Sequence, residues 1–172
     1  MFGCAQPTEE GFKVVIEKVT KESESKTSRM IWFNMRQEPV LYINNHPHAP
    51  RHPDKMHDNL EVKATVNEMD TLELHYENII KTKVEADVDK MLKISKDKSN
   101  TDNPMDRENI EENVRVDSLK SLDAIYGDIK NNLHQNFQNL RVPVVEDSKP
   151  EVEFYKEIFN QNFVFVISGK MF

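Results

Sequence analysis

The sequence predicts an α/β protein with a mainly parallel sheet flanked by helices. Short apolar strands and amphipathic helical stretches alternate, and the second half has the order strand, helix, strand, helix, strand. The strand segments are apolar throughout, which is typical of parallel strands covered on both faces. A length of 172 residues suits one core, so we expect a single domain over 1–172.

The first predicted element is a helix from about Thr8 to Lys21. Thr8 is placed to cap it, and two glutamates occupy its first turn. Apolar residues spaced i, i+3, i+4 and i+7 give the helix one buried face, formed by Phe12, Val15, Ile16 and Val19.

Two short strands follow, MIWF at 30–33 and VLYI at 40–43. Asn44 and Asn45 come directly after the second strand, and asparagine tolerates positive φ better than most residues. The pair therefore predicts the tight turn of a hairpin.

The longest predicted helix runs from Met69 to about Ile94, because its apolar residues keep a helical period through many charged neighbours. The next stretch, 95–109, has almost no apolar residues and is rich in Ser, Asp and Asn. These side chains offer the backbone local hydrogen bonds in place of helix or sheet. We expect an exposed polar loop there.

The next predicted strand is NVRV at 113–116. Asp117 or Ser118 is expected to cap the helix after it, whose apolar residues are Leu119, Leu122, Ile125, Tyr126 and Ile129.

The remaining chain completes the alternation. NLRVPV at 139–144 is a predicted strand, and Pro150 opens a last helix. The apolar run 163–167 is the final strand, followed only by Ser-Gly-Lys-Met-Phe.

The net charge of the chain argues against two classes of partner. A net charge of −7 argues against nucleic acid and anionic membranes, which reward clustered Lys and Arg. Any phosphate recognised here therefore needs a local site.

The only cysteine, Cys4, excludes an internal disulfide and every zinc motif that needs paired cysteines. It lies between Gly3 and Ala5 with no motif of a nucleophile, so we interpret it as a small packing residue. No apolar run is long enough for a transmembrane helix, and the first residues do not resemble a secretory signal. We expect a cytoplasmic protein.

Four histidines, His46, His48, His52 and His57, lie within the segment HPHAPRHPDKMH. His46 and His48 have a spacing that would allow chelation on a strand. However, prolines interrupt the segment and no carboxylate or thiolate partner is evident. We therefore expect a solvated segment without a metal, and no cofactor.

The segment RVPVVEDSKP, 141–150, carries the most informative carboxylates. A strand ends in Glu146 and Asp147, and a proline follows closely. Open α/β sheets place acid catalysts on turns at the carboxyl ends of their strands. The alternative is that Ser148 or Asp147 simply caps the last helix.

Four blocks of the sequence together resemble a known family. They are GCAQPTEEGF, MIWFNMRQEPVLYINN, ENVRVDSLKSLDAIY and LRVPVVEDSKP. In this order they are similar to successive blocks of the paladin family, which belongs to the cysteine-dependent phosphatases and is close to the tyrosine-phosphatase-like inositol phosphatases. The resemblance covers nearly the whole chain, and the N-M-R-Q-E-P block is its most specific part.

The resemblance implies a tyrosine-phosphatase-like fold with a general acid on the proline-bounded turn. Glu146 takes the acid position in an ungapped match, and Asp147, which makes a D-x-x-P pattern, is the competitor. Arg36 and Glu38 match the charged pair after the Trp-containing strand, where they would brace the substrate side. An internal ion pair that ties two loops together is the alternative.

The resemblance also places a nucleophilic cysteine in a C-x5-R loop directly after a buried strand. The fit to FVFVISGKMF puts Ile167 at the cysteine position, while Ser168, Gly169 and Lys170 only faintly resemble the loop. Ile167 supplies no nucleophile, and Lys170, a weak candidate for phosphate binding, is a point charge without the fork of an arginine. We therefore expect a domain that is incomplete at its C-terminus and catalytically inactive in this chain.

Two origins fit that expectation: a truncated product of a longer gene, which we favour, or a short pseudophosphatase used for binding. A protein-interaction scaffold that uses the acidic long helix and the His-rich hairpin is the third hypothesis. The resemblance allows a phosphotyrosine, inositol phosphate or phosphoinositide ligand. A protein partner that covers the strand FVFVI is also expected if the helices after it are missing.

Overall fold

A computed structural model of the chain describes residues 2–22, 29–36, 38–51, 66–98, 108–141 and 164–168. Within these ranges the elements are, in chain order, β1 (Phe2–Cys4), α1 (Glu9–Glu22), β2 (Met30–Asn34), β3 (Leu41–Ile43), β4 (His46–His48), α2 (Val66–Ala86), β5 (Met91–Lys98), β6 (Glu108–Arg115), β7 (Leu119–Ser121), α3 (Leu122–Asn132), β8 (Phe137–Arg141) and β9 (Val164–Ser168). No helix in these ranges has both the length and the apolar character needed to cross a membrane.

The central sheet has four strands in the order β1-β9-β2-β8, and every neighbouring pair is parallel. This confirms the predicted α/β class and the mainly parallel sheet. The final strand, β9, lies between β1 and β2 and so occupies an interior position of the sheet. Because all four strands run the same way, their carboxyl ends meet at one edge.

The main core packs against β2. All five residues of β2 are buried, and successive strand residues point to opposite faces, so the strand is covered on both sides. Met30 and Trp32 belong to a cluster with α1, α3 and β8, and the ring centroids of Phe12 and Trp32 are 4.6 Å apart. The cluster consists of Phe12, Ile16, Val19, Met30, Trp32, Val40, Tyr42, Leu122, Ile125, Tyr126, Ile129 and Phe137.

Helix α1 and the hairpin after β3 match their predictions. The Thr8 hydroxyl accepts a hydrogen bond from the Gly11 N–H at 3.0 Å, as expected of a cap. Asn44 and Asn45 have φ values of 50° and 68°, and they join β3 to the antiparallel β4. Positive φ at both central residues is the requirement of a type I′ hairpin turn.

The predicted helix from Met69 to Ile94 is wrong in its last part. Helix α2 ends at Ala86, and Lys90 has a φ of 54° before β5 begins. The Asp87 carboxylate accepts a hydrogen bond from the Asp89 N–H at 2.8 Å, a local contact that competes with helix continuation. Val88 prolonged the helical period in the sequence but is almost fully exposed.

The predicted polar loop at 95–109 is wrong at both ends, where the structure has strands. Residues 95–98 belong to β5 and 108–109 to β6, while 99–107 lie outside the described residues. β5 and β6 pair as a two-stranded antiparallel ribbon in which Lys98 lies opposite Glu108.

The cap of α3 is Ser121, and the predicted caps Asp117 and Ser118 are wrong. The Ser121 hydroxyl accepts from the Ala124 N–H at 3.4 Å. Residues 119–121 instead form β7, because the edge of β3 pairs with them. The last part of the predicted strand 139–144, residues 142–144, lies outside the described residues. The helix predicted from Pro150 and the first residue of the predicted strand 163–167 also lie outside them.

Cys4 lies at the margin of the main core. Its side chain is half-buried, unpaired with any other cysteine, and packs against the core cluster. Burial raises the pKa of the Cys4 thiol, which keeps it protonated at neutral pH. These contacts support its interpretation as a packing residue.

Asn44 has a second role besides the turn. Its Oδ1 accepts from the N–H groups of Asp117 and Ser118 at 2.8 and 3.1 Å, and its Nδ2 donates to the Arg115 carbonyl at 2.7 Å. We expect Asn44→Ala to lower the free energy of unfolding by about 2–3 kcal/mol, since it loses these bonds and strains a positive φ. Asn45→Gly is the matched control and should stay within about 0.5 kcal/mol of wild type. Equal losses in denaturant unfolding of the two variants would contradict the role of the Asn44 side chain.

The raised pKa of Cys4 gives a second prediction. At neutral pH iodoacetamide should alkylate Cys4 more slowly in the folded protein than in the chain unfolded by urea, because only the thiolate reacts. The rate in the folded protein should begin its rise at a higher pH. A faster reaction in the folded state would mean that Cys4 is an activated thiol.

Candidate functional site

The carboxyl ends of the parallel strands bring four residues into one row. In the strand register Cys4 lies opposite Ser168, Ser168 opposite Asn34, and Asn34 opposite Arg141. Ligands of open α/β sheets bind outside this edge. The row, which we call the carboxyl edge, is therefore the candidate functional site.

Arg141, at the carboxyl edge, forms a buried ion pair with Glu73 of helix α2. The Arg141 Nη1 is 2.7 Å from the Glu73 Oε1, and their side chains are 5% and 1% exposed. The same Glu73 oxygen accepts from the Val40 N–H at 2.9 Å, and the Arg141 Nη2 donates to the Glu38 carbonyl at 3.0 Å. The pair thus joins helix α2 and strand β8 to the segment between β2 and β3.

A second group of charges lies directly after β2. The Glu38 carboxylate pairs with the Arg36 Nη1 at 3.3 Å and with the Arg51 Nη1 at 3.0 Å. The Arg36 N–H also donates to the Asn34 Oδ1 at 3.0 Å, which fixes this segment to the end of the strand. Glu38 is buried, whereas both arginine side chains are partly exposed. One buried carboxylate thus holds two guanidinium groups beside the carboxyl edge.

These contacts locate the predicted residues Arg36 and Glu38. They form the internal ion pair considered from the sequence, and they also lie on the side of the sheet where a ligand would bind. Sequence reasoning missed Arg51, which stands among the histidines of HPHAPRHPDKMH. It also missed Glu73, which is one of many charged residues of α2. Glu73 is buried together with Glu77 and Val84, and the i, i+4, i+11 spacing of these three residues places them on one face of the helix.

Two tyrosines lie near the same network. Burial raises the pKa of Tyr126, and among smaller effects the Arg141 charge lowers it and the Glu73 charge raises it. Burial also raises the pKa of Tyr42, whose hydroxyl accepts from the Gln6 Nε2 at 2.7 Å and donates to the Pro7 carbonyl at 2.8 Å. Both hydroxyls are therefore neutral at physiological pH.

Other predicted site residues lie beyond this network. Glu146, Asp147 and Lys170 are outside the described residues. Ile167, at the position where the resemblance expects the cysteine, is in β9 opposite Phe33, one residue before the carboxyl edge.

The histidines form no metal site in the parts of the chain that the structure describes. His46 is exposed and His48 half-buried, both on β4. His52 and His57 are outside the described residues. Over the described ranges, no group of three or more metal-binding side chains occurs.

Comparison with known proteins identifies the family of the chain. The family model of PTP-like phytases, described as inositol hexakisphosphate, matches residues 33–161. Paladin from Danio rerio is 24% identical over 166 residues, which cover 93% of this chain and 17% of that protein. Paladin from Gallus gallus is 32% identical over 78 residues, 43% of this chain and 9% of that protein.

Solved structures share the fold. A PTP-like myo-inositol phosphatase from Mitsuokella multacida, solved with myo-inositol-(1,3,4,5)-tetrakisphosphate, gives a TM-score of 0.64 at 14% identity, covering 96% of this chain and 25% of that one. A PTP-like phytase from Bdellovibrio bacteriovorus gives 0.54 at 14% identity, covering 96% and 51%. The chain thus spans less than a fifth of these paladins and about half or less of these solved chains. With three quarters of its length inside the family model, the chain belongs to the PTP-like phytase family, as a paladin-type phosphatase-like domain.

Proposed function

We propose that this chain binds a phosphorylated ligand of the inositol phosphate class at its carboxyl edge and does not hydrolyse it. The observation that carries the proposal is that the buried Glu38 carboxylate holds the partly exposed guanidinium groups of Arg36 and Arg51 beside the carboxyl edge. Guanidinium groups bind phosphate through paired, charge-assisted hydrogen bonds.

The ligand class follows from the family and from the charges. The matching family model is described as inositol hexakisphosphate, and a neighbour of the same fold was solved with an inositol tetrakisphosphate. Two arginines around one glutamate suit a ligand that carries several phosphates. Phosphotyrosine and phosphoinositides are the other ligands of this chemistry, and the binding test below includes them.

The absence of hydrolysis follows from the chemistry of the nucleophile. Phosphate-ester cleavage by this family requires a low-pKa thiolate and an arginine that holds the equatorial oxygens. The only cysteine is Cys4, whose pKa is raised by burial, and the residue six positions after it is Glu10 where C-x5-R needs an arginine. Ile167 supplies no nucleophile, and Ser168 would need an adjacent base to act as one.

We also propose that one carboxylate of Glu146 and Asp147 is a vestigial general acid. Both follow Arg141 in the chain by a few residues, on the proline-bounded segment after β8. Lys170 is a weak candidate that would add one positive charge to the ligand-binding site. A single cysteine without disulfides favours a reducing compartment, so we place the protein in the cytoplasm.

A non-catalytic interaction scaffold is the alternative. Helix α2 exposes Leu74 and Ile79 on a largely charged surface, at 53% and 39%. Such single apolar residues are common on protein surfaces and carry less weight than the two arginines held by Glu38. The binding experiment distinguishes the two functions.

The proposed function is tested by activity and binding together. The purified chain should release no phosphate above background from inositol hexakisphosphate or an aryl phosphate. It should bind inositol hexakisphosphate in calorimetry, more tightly than a phosphotyrosine peptide or a soluble phosphoinositide. Arg36→Ala should weaken binding by about tenfold, the loss of one charged hydrogen-bonding group.

The matched control is Arg115→Ala, which removes the same charge from an exposed arginine on β6. Its affinity should stay within about twofold of wild type, since exposed charges act mainly through screened, long-range attraction. Equal losses in the two variants would show only non-specific charge attraction. A folded chain that binds none of the phosphorylated probes would favour the scaffold, and phosphate release abolished by Cys4→Ser would overturn the inactivity.

The candidate acid is tested in a fusion that appends a C-x5-R segment after Phe172. If activity returns, removal of the carboxylate that acts as general acid should slow the reaction by about 100-fold or more. Only one of Glu146→Gln and Asp147→Asn should have this effect. Equal and small effects would mean that the segment is a structural turn.

A further inference from the structure

The buried pair of Glu73 and Arg141 takes no part in the proposed contacts with ligand. The two residues are 68 positions apart in sequence and almost fully buried. Taking two opposite charges out of water is costly, and a well-packed apolar pair is often as stable. A buried pair is therefore better explained by the geometry it imposes than by stability alone.

The geometry it imposes concerns the segment after β2. Glu73 accepts the N–H of Val40, and Arg141 donates to the carbonyl of Glu38. The pair thus binds one backbone donor and one backbone acceptor of the same short segment. Neither contact involves a side chain of that segment, so the pair fixes the path of the backbone.

The fixed segment in turn determines where the arginines lie. Glu38 projects its carboxylate to both Arg36 and Arg51. A shift of the Glu38 backbone would move that carboxylate and with it the guanidinium of Arg36. The Arg36 N–H on Asn34 anchors the other end of the segment to the sheet.

We propose that Glu73 and Arg141 are positioning residues that hold the Glu38 backbone and, through the Glu38 carboxylate, orient Arg36 for a phosphate of the ligand. The inference rests on the proposed function, which it deepens. A pair that only stabilised the fold would affect binding independently of Arg36. A positioning pair affects binding only through Arg36.

The test is a thermodynamic cycle with an apolar pair. Glu73→Met with Arg141→Met leaves the net charge unchanged and removes no exposed charge. We expect the variant to fold, to melt cooperatively, and to bind inositol hexakisphosphate about tenfold more weakly than wild type, similar to Arg36→Ala. In the Arg36→Ala background, the double replacement should cause no further loss.

The control is Arg115→Met with Asp117→Met, which removes an exposed ion pair of the same chemistry. Its affinity should equal that of wild type. An unchanged affinity in the Glu73/Arg141 variant, or a full additional loss in the Arg36→Ala background, would overturn the proposal. If the double replacement does not fold, Arg141→Lys replaces it, since lysine keeps the charge but cannot bond Glu73 and Glu38 with a fork.

A second readout separates this proposal from the proposed function. Hydrogen exchange of the Arg36 amide reports on the segment, because its acceptor, Asn34, is not a member of the pair. Exchange should be at least about fivefold faster in the variant than in wild type, while the β3 amides stay protected. If wild type binds no inositol hexakisphosphate, the proposed function fails. Unchanged exchange at Arg36 then overturns the positioning role, and faster exchange supports it.

Discussion

The requirement to cover strand β2 on both faces organises the rest of this domain. All of its residues are buried, with Trp32 fully enclosed by the core that α1 and α3 form. Strands β8 and β9 pair with it in parallel, one on each edge. The parallel register then leaves the polar ends of the strands at one edge. The site is therefore a consequence of the same pairing that builds the core.

The sequence predicts those parts of the fold that depend on local chemistry. The continuous apolar run of β2, the Thr8 cap and the Asn44–Asn45 turn each carry their signal within a few residues. The end of α2 was missed because Val88 and Met91 continue a helical period by coincidence, whereas the Asp87 turn and pairing with β6 decide the structure. The local period of apolar residues carries no information about a partner strand that lies later in the chain.

The same division applies to the candidate site. Arg36 and Glu38 were identified through a short block of resemblance, but their partners were not. Arg141 ends β8, whose sequence FQNLR mixes apolar and polar residues and gives little local signal, and Glu73 looks like any surface glutamate of a charged helix. Only the tertiary contact, across 68 residues, shows that they belong together.

The hydrogen bonds of Asn44 have a consequence for the β5–β6 ribbon. They hold the Arg115 carbonyl and the following N–H groups at the point where the ribbon returns to β7, so its base is fixed to the β3–β4 turn. Among the described strands, β5 and β6 pair only with each other and add no strand to the β1-β9-β2-β8 sheet or to the sheet formed by β4, β3 and β7. An insertion between Lys98 and Glu108 would therefore leave the pairing of both sheets unchanged, and we expect a reporter sequence to be tolerated there.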